Sequence, residues 1–547
     1  MNAKHNIWQL SYWSQTWAGM PVKQRRLFGG IMLVHFIFSL LYTLKQGVLF
    51  DEPDYYNYVF HWATGQPERN FPIMDSKTPM MAFSLIPVVL KPLLPDHLLA
   101  KDIFFYLKAG RPFMYAYQLL GAFVVCCWLY RKAGFGKWIL PLLFFCFDPL
   151  IFCYGMVVGS DLASAALLVT TMYAAWRFTQ TKNNRYWYVV CFAAALAVVT
   201  KASMVYCYPL LLLLFAYFSY KHKSLNYKKT FLQLLAFVII QLVVINLAYY
   251  GKGSFTPFGN IHFASQLFGG IQSATSFLHA VPVPFPAAFI QGFDMLQQHA
   301  EIGGCKPEST YQGVWIFNKI YCDTSVWYYY LATALFKFPL FIWLIIIATF
   351  VRFFRTENKR EQLKENIFAW LPIIYFLFIL SFANKFQIGI RHTIIVMPFL
   401  YIGLSNTINE LYDKYKPLFY TLLLLHVISV GSYLPNLIAY TNELVWNKTK
   451  AYRIIRDSSL DYGQSGPWVN DFIEENKAYK IPANMPDTGK FAITVADLFA
   501  THMGPLKNIA WLRENFEPVS NYRHTILLFD ITAADVKAKG LTIKEGQ

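Results

Sequence analysis

Apolar residues follow one another in eleven long runs along this chain, and polar residues collect between the runs. Each run is close to the roughly 20 residues that an α-helix needs to cross a bilayer. The predicted spans lie near 28–49, 112–130, 138–157, 161–177, 186–200, 203–220, 230–249, 327–351, 367–383, 393–410 and 418–437. The pattern predicts an all-α polytopic membrane protein with about eleven transmembrane helices.

The composition supports this assignment. The chain has 547 residues, of which 56% are hydrophobic and only 14% charged, and its mean hydropathy is +0.34. Soluble domains carry far more charge. The formal net charge of +17 could suggest a nucleic-acid partner, but the Lys and Arg residues fall mainly in short loops between apolar runs. They therefore indicate membrane topology, and no nucleic-acid partner is expected.

The basic loops alternate along the chain, preceding the first span and following the second, fourth, sixth and eighth. By the positive-inside rule these loops are cytoplasmic, which places the N-terminus inside and the C-terminal tail outside. The first 26 residues lack the pattern of a cleavable signal peptide, so the first span is expected to be an uncleaved insertion signal. The expected domains are a transmembrane domain over 1–440, with outer loops 50–111 and 251–326, and a periplasmic domain over 441–547.

The polar segments contain local patterns of their own. Residues 79–90 are apolar but interrupted by Pro, which predicts a helix lying along the membrane surface. In the tail, helices are expected over 463–475 and 506–516 and strands over 490–495 and 525–531, giving a small α/β domain. Cys305 and Cys322 share one outer loop, where a disulfide is expected, and no Cys/His spacing is typical of a zinc site.

An acidic cluster, Asp51, Glu52 and Asp54, follows the first span on the predicted outer side. Such carboxylates could take part in chemistry at the headgroups. They could equally form a polar cap that anchors the end of a helix.

Other polar groups interrupt apolar sequence. They are Lys77 in the first outer loop, Asp148 and Asp161 near the third and fourth spans, Lys337 in the eighth span, and Arg391 with His392 between spans nine and ten. Asp148, before a proline, could cap a broken helix, and Lys337 could snorkel to the interface. Arg391 and His392 could anchor to headgroups. Together, carboxylates that can accept a proton and cations that can hold a phosphate suit transfer of a sugar from a lipid phosphate.

Several short motifs occur in a fixed order. They are Asp51-Glu52, Ser76-Lys-Thr-Pro79, Phe147-Asp-Pro149 with Gly159-Ser-Asp161, Lys337-Phe-Pro339, Gly389-Ile-Arg-His392 and Asp457-Ser-Ser-Leu-Asp-Tyr-Gly-Gln464. The set resembles the protein O-mannosyltransferase and aminoarabinose transferase superfamily of integral membrane glycosyltransferases, in a bacterial branch. Thr78 departs from the Pro that the family usually has.

The resemblance implies the GT-C fold and an inverting transferase that uses a polyprenyl-phosphate sugar as donor. It implies Asp51 as catalytic base, Glu52 as an orienting or assisting group and Asp161 as a second essential acid. Lys77, Lys337, Arg391 and His392 become candidate ligands of the donor phosphate. No metal is assigned, although some relatives in the wider architecture use a divalent ion near the same acids. The tail motif around Asp457 and Asp461 is expected to be structural.

The alternative function is a transporter or flippase of lipid-linked sugars, which would show inverted repeats and polar residues at the bilayer midplane. The polar residues here gather near one face, which favours the enzyme. A purely structural membrane protein would leave the one-sided acids and cations without a purpose. The expected partners are the lipid-linked donor, membrane lipids and an acceptor that is a protein, lipid or glycan. The sugar and the carrier, undecaprenyl or dolichyl phosphate, stay open.

Overall fold

A computed structural model describes residues 16–66, 79–90, 102–222, 227–302, 304–305, 313–499 and 509–542. Helices dominate these ranges, and each of the eleven predicted spans contains one helix or a pair of short ones. Their bounds are Val22–Lys45, Ile103–Ala133, Ile139–Cys146 with Pro149–Cys153, Ser160–Thr181, Asn184–Thr200, Cys207–His222, Tyr227–Ala248, Tyr329–Lys337 with Leu340–Arg355, Lys359–Phe378, Met397–Lys414 and Lys416–Gly431.

Not every one of these helices is long enough to cross a bilayer alone. Five helical segments of the described chain have the length and hydropathy of a span, and a bent pair makes a sixth. Asn184–Thr200 has 17 residues, about 25 Å at 1.5 Å per residue. The predicted spans coincide with helices. The hydropathy of an apolar run does not show, however, at which residue its helix ends.

Two predicted spans are broken at proline. The helix Tyr329–Lys337 meets Leu340–Arg355 at an angle of 119° around Pro339. In the third span, Asp148 accepts hydrogen bonds from the backbone N–H groups of Leu150 at 2.9 Å and Ile151 at 3.4 Å. Asp148 therefore caps the short helix Pro149–Cys153. This is the structural role that the proline after Asp148 suggested for this acid.

The centre of the helical part is Ser160–Thr181, most of whose residues are buried. It packs against Ile103–Ala133 on one side and Asn184–Thr200 on the other. Outside this bundle lie Glu52–Ala63, the 3₁₀ helix Pro79–Leu85 with Ile86–Val89, and the outer-loop helices Gln266–Ala274 and Ala287–Ile302. Cys305 and Cys322 form the expected disulfide.

The tail contains a four-stranded sheet. Its strands are ordered Tyr479–Lys480, Gly489–Thr494, Ile526–Ile531 and Ser520–Tyr522, with the first pair parallel and the others antiparallel. The helices of the tail are Gly466–Glu475, Val495–Phe499, Ala510–Asn515 and Ala533–Ala538. The two longer strands lie within one residue of the predicted strands 490–495 and 525–531, whereas the two short edge strands were not predicted because two or three residues are too few for a pattern to show.

The tail is closely docked on the end of the helical bundle at which the helix Val22–Lys45 terminates. The backbone N–H of Phe50 donates to the carbonyl of Tyr462 at 3.1 Å, and the indole of Trp468 donates to the carbonyl of Lys45 at 3.0 Å. A Cβ on Gly47 would lie 2.3 Å from the carbonyl oxygen of Gln464. The end of the first span therefore touches the tail motif 457–464 directly, backbone against backbone.

Candidate active site

Asp51 occupies the N-cap position of Glu52–Ala63, but its side chain makes no capping hydrogen bond. Instead, its Oδ2 atom accepts hydrogen bonds from Arg391 Nη1 at 3.0 Å and from the hydroxyl of Tyr462. The side chain keeps 25% of its surface exposed. Asp51 is thus oriented by two distant parts of the chain and remains accessible to a ligand.

Glu52 has a different environment, since its side chain is only 1% exposed. Its Oε1 accepts from Arg111 Nε at 2.9 Å and from the N–H of Val158 at 3.0 Å. Its Oε2 accepts from the N–H of Leu49 at 2.8 Å and from Arg111 Nη2. Both oxygens are occupied by donors, so the geometry favours the orienting role for Glu52.

Asp161 lies in the first turn of Ser160–Thr181. Its Oδ1 accepts from Lys201 Nζ at 2.5 Å, and its Oδ2 is 3.7 Å from Arg391 Nη1. Arg391 therefore contacts both Asp51 and Asp161. The structure brings these three predicted site residues together, although 340 positions separate Asp51 from Arg391.

The three residues line one cavity with both polar and apolar walls. The described residues around it are Asp51, Glu52, Tyr55, Tyr154, Val157, Val158, Gly159, Ser160, Asp161, Leu162, Arg391 and Tyr462. The acids and the cation thus face a common space that is also lined by aliphatic side chains, a combination suited to a ligand with a charged and an apolar part.

Arg391 is positioned by contacts with the tail. Gly389 has a φ of +149°, and a Cβ there would lie 2.2 Å from Ser458 Oγ, so only glycine fits. The N–H of Ile390 donates to Ser459 Oγ at 2.9 Å. The guanidinium carbon of Arg391 lies 4.3 Å from the centroid of the Tyr462 ring, a cation–π contact.

Of the other predicted phosphate ligands, His392 and Lys337 are not among the described residues that line this cavity. His392 Nδ1 is 3.0 Å from the hydroxyl of Tyr330, and among the described residues it is not part of the cavity wall. Lys337 is buried and donates from Nζ to the carbonyls of Ile438 at 2.7 Å and Ser459 at 2.6 Å. It lines a neighbouring cavity that shares the side chain of Tyr154 with the first. Lys77 lies outside the described residues.

Two members of the site were missed by sequence reasoning. Lys201 interrupts the apolar runs 186–200 and 203–220 on the predicted outer side, and this lone charge was a usable signal. Tyr462 lies in the tail motif, and nothing in its local sequence indicates that it reaches Asp51. The acids of that motif have structural contacts, with Asp457 accepting from the N–H of Ser459 at 2.8 Å and Asp461 from the N–H of Ala496 at 3.0 Å.

Tyr462 is a hydrogen-bond donor to Asp51. Burial raises the pKa of Tyr462 well above its ordinary value, so the hydroxyl stays protonated and donates a hydrogen bond to the carboxylate of Asp51. Arg391 in turn donates to the same hydroxyl. Tyr462 therefore fixes the relative position of the Asp51 carboxylate and the Arg391 guanidinium, which are 340 positions apart in the sequence.

The described residues can be tested against the divalent ion that some relatives in the wider architecture are expected to use. Within the described ranges, no group of three or more His, Cys, Asp or Glu side chains could hold a metal ion. Asp51 and Asp161 are each paired with a cationic side chain, whereas hard divalent cations need several oxygen ligands free of such partners. These acids, as arranged, do not fit a metal site.

Replacing Tyr462 by Phe is expected to lower the turnover of the reaction proposed below about tenfold, because one charge-assisted hydrogen bond to Asp51 is lost. The ring and its stacking on Arg391 are retained, so donor affinity should change little. Steady-state kinetics would separate the two parameters.

Tyr433→Phe is the matched control for Tyr462→Phe. It also removes a buried tyrosine hydroxyl, which bonds to Thr441 Oγ1 at 2.7 Å, but it lies away from the cavity. An equal loss of turnover in both variants would mean that Tyr462 only stabilises the fold.

Comparison with known proteins gives similarity at the level of structure. No protein-family model and no curated protein matches the sequence. The chain is similar to the crystal structure of ArnT from Cupriavidus metallidurans bound to undecaprenyl phosphate, at 14% identity and a TM-score of 0.47, over 76% of this chain and 65% of that one. It is also similar to the apo state of the same protein, at 14% identity and a TM-score of 0.48, over 82% and 68% of the two chains. The likeness is one of overall architecture.

Proposed function

We propose that this protein is an inverting glycosyltransferase of the cytoplasmic membrane. It moves a sugar from a polyprenyl-phosphate donor to a hydroxyl or amine acceptor on the outer side, where the distribution of Lys and Arg between loops predicts the site to lie. The observation that supports this function is the convergence of Asp51, Asp161 and Arg391 on one cavity with aliphatic walls.

In the proposed reaction, Asp51 accepts the proton of the acceptor as its oxygen or nitrogen attacks the anomeric carbon of the sugar. The bond between that carbon and the phosphate oxygen breaks, and its electron pair stays on the phosphate. A single displacement inverts the configuration of the anomeric carbon. The products are the glycosylated acceptor and the polyprenyl phosphate.

The cations of the site suit this charge movement. The donor is a phosphodiester with one negative charge, and the departing phosphate monoester gains a second as the bond breaks. Arg391 and Lys201 would therefore stabilise the transition state more than the bound donor. Without a ligand their charges are balanced by Asp51 and Asp161, which holds Arg391 in the cavity wall and Lys201 against the carboxylate of Asp161.

The other three candidate phosphate ligands have different roles in the proposed reaction. Lys77 is a further phosphate ligand, as the family resemblance implies. His392 and Lys337 have structural roles, because their hydrogen bonds go to Tyr330 and to two backbone carbonyls.

Lys201→Met is expected to weaken donor binding and turnover, together about tenfold in kcat/KM, because one of the two cations beside the phosphate is removed. The variant also leaves Asp161 with only the longer contact to Arg391. Kinetics at varied donor concentration would measure the effect.

The control for Lys201→Met is Lys182→Met, at the opposite end of the helix that carries Asp161. It is the same Lys-to-Met substitution and removes the same charge, but it lies far from the cavity. Its kcat/KM should therefore match that of the native chain. If Lys201→Met also matched the native chain, Lys201 would not contact the donor phosphate.

The test of the function is a transfer assay in liposomes with a panel of polyprenyl-phosphate sugars, undecaprenyl carriers included, and hydroxyl and amine acceptors. Release of polyprenyl phosphate with formation of an inverted glycoside is the expected result. The flippase alternative predicts movement of an intact labelled donor between leaflets in liposomes without acceptor. Movement without transfer by any donor would overturn the proposal.

A further inference from the structure

The second outer loop contains a long stretch without any charged residue. Between Lys252 and Asp294 there are 41 consecutive residues with no Asp, Glu, Lys or Arg. At the chain's average of 14% charged residues, such a stretch would carry about six. Outside the apolar spans, an uncharged segment of this length is unusual for a surface in contact with water.

Many large apolar side chains of this stretch point away from the protein. The most exposed is Phe277, at 79% of its surface. The exposed set comprises Phe255, Leu267, Ile271, Phe277, Leu278 and Val281. Leu267 and Ile271 are four residues apart on the helix Gln266–Ala274 and so lie on the same face. Together they form an apolar surface, which we call the 253–286 wedge.

The wedge is folded, and some of its polar groups are hydrogen-bonded within it or to the adjoining helix. The side chain of Gln272 donates to the carbonyls of Phe258 at 2.6 Å and Ile261 at 2.8 Å. Asp294 accepts from the N–H groups of Ala264 at 2.7 Å and Ser265 at 3.0 Å. The exposed apolar side chains are therefore presented by an ordered scaffold that has satisfied its own hydrogen bonds.

The wedge continues directly from a membrane helix. It begins a few residues after Tyr227–Ala248, one of the helices with the length and hydropathy of a span. The indole of Trp62 donates to the carbonyl of Ala248 at 2.8 Å, and its ring stacks on Tyr250 at 5.6 Å. Since Trp62 belongs to the helix that starts beside Asp51, the wedge lies on the same side of the membrane as the candidate site.

We infer that the 253–286 wedge is inserted into the outer leaflet, with Phe255, Ile271 and Phe277 among the acyl chains of phospholipids. Continuity with the span places the wedge at the bilayer surface, and the absence of charge removes the main cost of entering it. A docking surface for a soluble protein would be expected to have a polar rim with charged groups. The stretch itself carries none, and the carboxylate of Glu301, which accepts from the N–H groups of Gln266 at 2.6 Å and Leu267 at 2.9 Å, lies at the first turn of the helix Gln266–Ala274, at the end away from Phe277. The inference does not depend on the proposed enzymatic activity.

Insertion depth can be measured by spin labelling of the full chain in liposomes of phosphatidylethanolamine and phosphatidylglycerol. A nitroxide is attached at Phe277→Cys or, in a second variant, at Ile271→Cys. The six free cysteines are buried, and the unsubstituted chain gives the labelling background. Leu247→Cys, on the exposed face of the membrane helix, is the reference for lipid, and Val519→Cys, an exposed apolar position of the tail, is the reference for water.

The expected result is that both wedge labels relax with oxygen, which concentrates in lipid, and are protected from a water-soluble nickel chelate, as at Leu247. Labels accessible to nickel as at Val519 would overturn the inference. Labels shielded from both oxygen and nickel would show a protein contact, with a partner or a second copy, and would overturn it as well.

Discussion

Asp51→Asn is expected to reduce sugar transfer at least about a hundredfold while donor binding survives, because the amide cannot accept the proton of the acceptor. The amide is nearly isosteric with the carboxylate, and its oxygen can still accept the hydrogen bonds that Arg391 and Tyr462 donate to Asp51. Binding of a labelled donor lipid and turnover under the same conditions would measure the two effects separately.

Asp54→Asn is the matched control for Asp51→Asn. It removes the same charge from the first turn of the same helix, and Asp54 is not among the described residues that line the cavity. Its turnover should be that of the native chain. Unchanged turnover of Asp51→Asn would remove this residue from the mechanism, and loss of donor binding would reassign it to the donor site.

Arg111→Met is expected to destabilise the protein by about 3–5 kcal/mol, the usual effect of removing one partner of a buried ion pair. Arg111 is fully buried, and it donates to Glu52 and to the backbone carbonyls of Gln46 at 3.1 Å and Gly47 at 2.8 Å. Its loss leaves the Glu52 carboxylate without a counter-charge. A lower midpoint of thermal unfolding in detergent and a lower folded yield are the measurements.

Two further variants test the origin of this effect. Combining Arg111→Met with Glu52→Gln should recover part of the loss, since no unpaired charge then remains. Lys480→Met breaks an exposed pair with Asp487 and should cost no more than about 1 kcal/mol. If Arg111→Met lowered the free energy of unfolding no more than Lys480→Met, the buried ion pair would not stabilise the fold.

The same pair also bears on the geometry of the site. Glu52 is next to Asp51 in the chain, and it accepts a hydrogen bond from the N–H of Val158, three residues before Asp161. The ion pair with Arg111 therefore ties together the two segments that carry the site carboxylates. Arg111 lies within a long apolar helix, and nothing in the local sequence distinguishes it from a residue that snorkels to the interface.

Local sequence predicted a large part of the fold. The helices of the eleven spans and the two longer strands of the tail follow from hydrophobic period, and the disulfide follows from the position of its cysteines. The breaks at Asp148 and Pro339 and the lengths of the shorter helices were harder to place. They depend on which backbone groups find partners in neighbouring helices, and hydropathy carries no information about those partners.

The candidate site was predicted less completely. Asp51, Asp161 and Arg391 stand out because charges near the membrane are costly and therefore rare. Lys337 stands out for the same reason. Its ammonium group, however, donates hydrogen bonds to two backbone carbonyls outside the cavity that Asp51 lines. Rarity identifies a residue that has some role, but only its contacts distinguish a ligand from a structural support.

By itself, the sequence determined that this chain is a helical membrane protein with acids and cations concentrated toward one predicted side, because the bilayer imposes length and charge constraints on each local segment. The tertiary structure alone decided that Tyr462 of the tail and Lys201 meet Asp51 and Asp161 around Arg391. These contacts join residues that are between 40 and 411 positions apart, and they are set by the packing of helices and tail, which no local pattern encodes.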